Sequence, residues 1–294
     1  MVSLRDRKKA ELKLVEKELS SLSGISGVAL FIDSKAINDY FFTAFFNGVP
    51  CICKFSSAAI SSIHNEFKLT KELYALAPSY FPKPFSCHEF SSVRGAVSIV
   101  ERVPGEPLRK IIEDGGVSSE DDVRRLVDDL EEILSALNHL GIVHRDFHIG
   151  NLIQSSDGHF RLIDLQFAVQ KDIDGRYKED PFMLKWFWTF VPVFGSLTGV
   201  GVGRWNDVHA IRLILASLPK CDAVLTFDAK LAQIEENSTL YVKPSAFMRF
   251  LFPFNQFVCY IRLIYHTFYK PKKKRKFKER LELIKSAKIG WKRN

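Results

Sequence analysis

Gly141-Ile-Val-His-Arg-Asp-Phe-His-Ile-Gly-Asn151 is the stretch on which the reading of this chain turns. It contains H-R-D-x-x-x-x-N as His144, Arg145, Asp146 and Asn151. Downstream, Ser155-Ser-Asp-Gly158 is a hairpin turn signal between two short strand-like runs, 151–154 and 160–164. Leu162-Ile-Asp-Leu-Gln166 closes the hairpin and sets Asp164 eighteen residues after Asp146. Upstream, Ser119 and Asp122 resemble a capping box. Val123, Leu126, Val127, Leu130, Ile133, Leu134 and Leu137 then recur at helical spacing. Gly141 is well placed to end that helix.

Two carboxylates and an amide in this order point to phosphoryl transfer from ATP. One carboxylate must orient the acceptor hydroxyl and take its proton, and Asp146 fits that role. A second carboxylate and an amide oxygen must hold a metal ion against the phosphates, which suits Asp164 and Asn151. Oxygen donors completed by phosphate oxygens favour Mg²⁺. His144 reads as a packing residue that braces the loop. Arg145 reads as a phosphate ligand or an ion-pair partner, and His148 as a substrate contact or a structural ring.

The first hundred residues are expected to form a small sheet with one helix. Residues 5–22 read as a charged helix ending near Gly24. The strand-like runs are 27–32, 40–46 and 50–55, and later 85–90 and 96–100. Between them, 61–77 has helical spacing with Ile63, Phe67, Thr70, Leu73, Tyr74 and Ala77 on one side. Pro78, Pro82 and Pro84 end it. The turn Val103-Pro-Gly-Glu-Pro107 marks a boundary. Beyond the hairpin the chain looks helical and aromatic.

The quoted motifs resemble the catalytic loop and metal-binding strand of the protein-kinase-like superfamily. Within it, His-Arg-Asp-Phe-His-Ile-Gly-Asn and Leu-Ile-Asp-Leu-Gln-Phe-Ala most resemble the bacterial lipopolysaccharide core (Kdo and heptose) kinases. The H-x-D-x-H-x-G-N variant also recurs in aminoglycoside-phosphotransferase-like kinases. The resemblance implies an α+β, two-lobed fold with a small antiparallel-sheet N-lobe and a mainly helical C-lobe, working with ATP and Mg²⁺. It also implies a sugar hydroxyl of the lipopolysaccharide inner core as acceptor, reached at the cytoplasmic face of the inner membrane.

On that likeness, Lys54 in Pro50-Cys-Ile-Cys-Lys-Phe55 would reach the α- and β-phosphates. Glu66 is its expected partner and Glu72 the alternative. Backbone groups of Glu101 and Val103 would pair with adenine. Asp207, in Arg204-Trp-Asn-Asp-Val, matches the aspartate that anchors the catalytic loop. The pattern also departs from the superfamily's. No G-x-G-x-x-G precedes Lys54, where the turn reads Asp33-Ser-Lys-Ala-Ile-Asn-Asp39. Gln166 replaces the D-F-G glycine, and no A-P-E signature follows. These departures favour a small-molecule or glycolipid acceptor over a protein. The alternatives are a soluble small-molecule or Ser/Thr protein kinase, and a membrane-associated pseudokinase without catalysis. Intact Lys54, Asp146, Asn151 and Asp164 argue against the last.

Composition bounds the rest. With 294 residues, 46% hydrophobic and 25 Phe, the chain has ample core material and is no disordered segment. Five scattered cysteines without a C-x-x-C pair fit a reducing compartment. The opening residues are charged, which speaks against a secretory signal. From Lys270 to Asn294 there are 12 Lys or Arg against two Asp or Glu, a net of +10, whereas residues 1–269 carry −2. Phe277, Leu281, Ile284 and Trp291 sit at helical spacing in that tail, the pattern of a basic amphipathic helix on anionic lipid. Nucleic acid is not the expected partner. An uncharged segment, 186–203, reads as a buried or membrane-facing loop, and the aromatic stripe 247–268 as core packing. The expected organisation is an N-terminal helix (1–26), an N-lobe (27–103), a C-lobe (104–269) and the tail (270–294). The expected location is cytoplasmic, peripheral at the inner membrane.

Overall fold

Alternating aromatic and apolar residues build three consecutive strands, β1 (Ile25–Asp33), β2 (Asp39–Phe46) and β3 (Val49–Ser56). Asn47 and Gly48, with φ of 49° and 81°, make the two-residue turn that joins β2 to β3. With β4 (Pro84–Phe90) and β5 (Gly95–Glu101) they form a five-stranded antiparallel sheet in the order β1-β2-β3-β5-β4. The computed structural model describes residues 4–33, 39–57, 60–117, 119–171, 197–199, 204–235 and 238–241.

The period of two along each strand sorts side chains onto two faces. Cys51, Cys53 and Phe55 of β3 join Tyr40, Phe42, Val97 and Ile99 in one cluster, together with Val15 and Leu19 of helix α1 (Leu4–Ser21). Ile52 and Lys54 therefore take the other face, with Phe41, Ser98 and Val100, and that face lines a cavity. Helix α2 (Ile60–Leu76) packs against β3, β4 and β5. Its buried residues are Ser62, Ile63, Glu66, Leu69, Thr70 and Leu73. Phe67 and Tyr74, expected on the inner stripe, are only half-buried. The helix is rotated so that a carboxylate, Glu66, faces inward instead, because Lys54 is there to receive it.

The described chain divides into two compact units. The first comprises Met1–Gly116, Asp128–Ala136 and Gly150–Phe167; the second comprises Val117–Val127, Leu137–Ile149 and Ala168–Asn294. Sequence reasoning missed β6 (Gly105–Pro107) in the first unit, which pairs with β8 (Leu152–Ser155). A Cβ on Gly105 would lie 1.8 Å from the Gln154 carbonyl oxygen, so only glycine permits this approach. Strand β9 (Phe160–Leu162) completes the hairpin and stops short of the expected 164, because Asp164 turns away with φ of 63°.

Helix α3 (Leu108–Glu113) was also not foreseen, whereas α4 (Glu120–His139) buries every residue of the expected stripe. Ser119 caps α4 by accepting the Asp122 N–H at 3.1 Å, and Gly141 follows it with φ of 63°. In the second unit β7 (Ile142–Val143) pairs with β10 (Val169–Gln170). A three-stranded sheet there joins β11 (Leu197–Gly199), β12 (Arg204–Asn206) and β13 (Thr239–Tyr241) in that order. Helices α5 (Asp207–Leu215) and α6 (Asp222–Ile234) pack together.

The architecture is α+β, with the antiparallel sheet first and helices later, consistent with the kinase-like two-lobed fold implied by the motifs. Among the described residues no helix is long and apolar enough to cross a membrane. The turn 34–38, most of 186–203, the stripe 247–268 and the tail 270–294 lie outside the described residues.

Candidate active site

Lys54 is the centre of the first unit's polar chemistry. Its side chain is 5% exposed, and its ammonium lies 2.9 Å from Glu66 Oε2 and 2.9 Å from Asp164 Oδ1. Burial alone would favour the neutral amine. The Asp164 and Glu66 carboxylates outweigh it and hold the Lys54 pKa above the ordinary lysine range. The Phe41 ring, opposite Lys54 in the β2–β3 register, stands 5.5 Å from the ammonium. Glu72, the alternative partner, pairs instead with Lys68 on the outer side of α2 at 3.5 Å.

Asn151 and Asp164 are brought together by the hairpin. Leu152 faces Leu162 in register, and the Ile163 N–H donates to the Asn151 carbonyl at 2.9 Å. Asp164 is one of four described non-glycine residues with positive φ, a conformation that side chains adopt at some cost and that clusters at functional sites. Ser62 Oγ donates to the Gln166 carbonyl at 3.1 Å, tying the helix that carries Glu66 to the turn after Asp164. Neither Ser62 nor Phe41 was singled out from sequence. The strand period around Lys54 would have found Phe41, but nothing local marks Ser62.

Phe41, Lys54, Glu66, Asn151 and Asp164 line a cavity of about 390 Å³. Glu101 and Val103 stand on its rim, with Ile52, Val100, Ile153 and Leu162 as apolar walls. The volume and mostly apolar lining are those of a small-molecule site. Glu101 donates its N–H to the Lys83 carbonyl at 2.8 Å, and Arg102 donates to the Pro50 carbonyl at 3.0 Å. A nucleobase would therefore have to meet the Glu101 carbonyl rather than its N–H. The donor set suits ATP and Mg²⁺: one buried cation for phosphate oxygens, and a carboxylate with an amide for a hard metal. Among the described residues no group of three or more His, Cys, Asp or Glu is gathered as a metal cage.

In the second unit, the H-R-D loop is held by Asp207, the first residue of α5. Its carboxylate accepts the His144 N–H at 2.6 Å and the Arg145 N–H at 3.1 Å, and Asp207 is 1% exposed. Arg145 has φ of 68° and is itself buried. The His144 ring packs edge-on against Phe147, with centroids 5.8 Å apart. Asp146 Oδ2 lies 3.6 Å from His148 Nε2, a pairing the spacing left open. Asp146 belongs to the second unit, whereas Lys54, Glu66, Glu101, Val103, Asn151 and Asp164 belong to the first.

No family model matches the chain. It is 38% identical over 122 residues to the probable serine/threonine-protein kinase PkwA of Thermomonospora curvata, covering 39% of this chain and 15% of that protein. It is 33% identical over 78 residues to a probable serine/threonine-protein kinase of Dictyostelium discoideum, covering 26% of this chain and 6% of that protein. The chain thus matches only a small part of the length of these relatives. Over these stretches the chain is similar to serine/threonine-protein kinases, and its α+β architecture is consistent with a protein-kinase-like fold.

Proposed function

We propose that this chain is an ATP-dependent phosphotransferase with an alcohol group as acceptor. The observation that carries the reading is Lys54, buried in the cavity and set 2.9 Å from both Glu66 and Asp164. ATP supplies the γ-phosphoryl group and Mg²⁺ the charge that offsets its oxygens. Lys54 would bind the α- and β-phosphates, kept charged and in place by Glu66. In a site of reduced dielectric that attraction exceeds its value in water. Asp164 and Asn151 would hold the metal, and the rim at Glu101 and Val103 would orient adenine. Asp146 would take the proton of the attacking hydroxyl, with His148 positioning its carboxylate.

The preferred acceptor is an inner-core sugar of a lipopolysaccharide precursor, met at the cytoplasmic face of the inner membrane. Three sequence features support this: the likeness of 144–151 and 162–168 to core kinases, the missing glycine-rich loop, and the +10 tail with its spaced aromatics. A second reading, a Ser/Thr protein kinase, is favoured by the names of both relatives. Radiolabelled ATP, offered with core glycolipid and with a generic protein substrate, separates the two. Label in glycolipid that disappears in Asp146→Asn supports the sugar acceptor. Label on Ser or Thr alone supports the second reading, and transfer to neither overturns the phosphotransferase.

A further inference from the structure

The cavity has two walls drawn from distant parts of the first unit, and one side chain bridges them. The rim at Glu101 ends β5; the metal-binding side follows β9, which carries Arg161 three residues before Asp164. Arg161 Nη1 lies 3.4 Å from both carboxylate oxygens of Glu101, and its Nη2 donates to Asp157 Oδ2 at 2.8 Å. The same Glu101 carboxylate accepts the Lys83 N–H at 3.0 Å. Glu101 is thus pinned through its backbone by Lys83 and through its side chain by Lys83 and Arg161. Arg161 and Glu101 side chains are 15% and 21% exposed, so solvent screens the pair only in part. Beyond Arg161, the Leu162 N–H donates to the Tyr80 carbonyl and the Ile163 N–H to the Asn151 carbonyl, each at 2.9 Å. The Arg161–Glu101 pairing and these two backbone bonds together hold the short segment that presents Asp164.

We propose that Arg161 is a positioning residue, whose pairing with Glu101 fixes the distance between the base-binding rim and the metal-binding Asp164. The inference rests on the nucleotide reading of the cavity and deepens it. A ligand that spans both walls gains from having them set in advance, whereas one that touches the rim alone does not. The planar guanidinium is suited to this because its two terminal nitrogens meet two separate carboxylates, Glu101 through Nη1 and Asp157 through Nη2, where an ammonium offers a single nitrogen.

The test uses the full chain and two probes, Mg-ATP, which spans both walls, and adenosine, which reaches only the rim. Arg161→Gln should raise the Kd for Mg-ATP about tenfold and that for adenosine less than about twofold. Arg161→Lys should fall between Gln and wild type for Mg-ATP. Asp157→Asn loosens the outer end of Arg161 but leaves its Glu101 contact, and should bind both probes like wild type. A purely structural role predicts the same loss for both probes, or a loss in Asp157→Asn equal to that in Arg161→Gln, and either result overturns the proposal. If Arg161→Gln does not fold, Arg161→Lys carries the comparison, and an unchanged Mg-ATP to adenosine ratio there overturns it too. A wild-type chain that binds neither probe removes the nucleotide reading itself, while wild-type binding with unaltered variants removes the positioning role alone.

Discussion

Replacing Asp207 by Ala should destabilise the second unit by an amount that the structure allows to be worked out. The Asp207 carboxylate accepts two backbone N–H groups, from His144 at 2.6 Å and Arg145 at 3.1 Å. All three residues are at most 1% exposed, so water does not replace the lost acceptor. Hydrogen bonds to a charged group contribute about 1.5–3 kcal/mol each, so losing both costs about 3–6 kcal/mol. The left-handed backbone at Arg145, φ 68°, also loses its restraint, and the loop that carries Asp146 can relax. Asp207→Asn keeps one acceptor oxygen and turns an amide N–H₂ toward the other donor, so about half the cost should remain. Urea unfolding of the full chain measures both variants. Nucleotide binding, proposed for the first unit, should stay near wild type while phosphate transfer falls. An Ala variant within 1 kcal/mol of wild type, or one that loses nucleotide binding before transfer, would refute this reasoning.

Three further outcomes follow from the same contacts. Lys54→Met should abolish ATP binding and destabilise the first unit by about 3 kcal/mol, since the buried Glu66 carboxylate loses the ammonium that offsets its burial. Adding Glu66→Gln should recover stability in urea without recovering binding. Asp129 of α4 is buried and accepts from the Phe160 N–H at 2.8 Å, with His159 Nδ1 at 2.9 Å. Burial pushes its carboxyl up despite the pull of His159 and that N–H, so its folded pKa lies above its unfolded one. Its contribution is then fullest below the ordinary carboxylate pKa and is lost as pH rises through the raised value. Asp129→Asn should accordingly gain on wild type in urea titrations as pH climbs from about 3 to about 7. Deleting 270–294 should spare ATP binding and abolish sedimentation with anionic vesicles. Binding by the full chain should weaken steeply with salt, since each Lys or Arg near the surface contributes about 1 kcal/mol.

Much of the fold was legible because its signals are local. The α4 stripe, the Asn47-Gly48 turn and the Gly158 hairpin each follow from spacing and backbone chemistry within a few residues. The role of Asp207 was legible only through family likeness, since 62 residues separate it from Arg145. Long-range contacts were the least accessible. The short strands β6, β7 and β10 exist only because a distant partner pairs with them. Hydrophobic periodicity placed Ile63, Thr70 and Leu73 of α2 inward but not Glu66, which only the likeness paired with Lys54; a buried ammonium offsets the cost of burying that carboxylate. Arg161 looked like an ordinary charged residue on a hairpin. Only the register of β8 against β9, and the approach of Glu101, pair it with a residue that lines the cavity.

The most direct test of the phosphotransferase reading is calorimetric titration of ATP, with and without Mg²⁺, into wild type, Asp164→Asn and Asp146→Asn, followed by a transfer assay on the same samples. Wild type should bind ATP in a Mg²⁺-dependent way that Asp164→Asn weakens at least tenfold. Asp146→Asn, which lacks the group that accepts the hydroxyl proton, should bind near wild type but transfer almost nothing. Binding indifferent to Mg²⁺ and to Asp164, or transfer undiminished in Asp146→Asn, would contradict that reading.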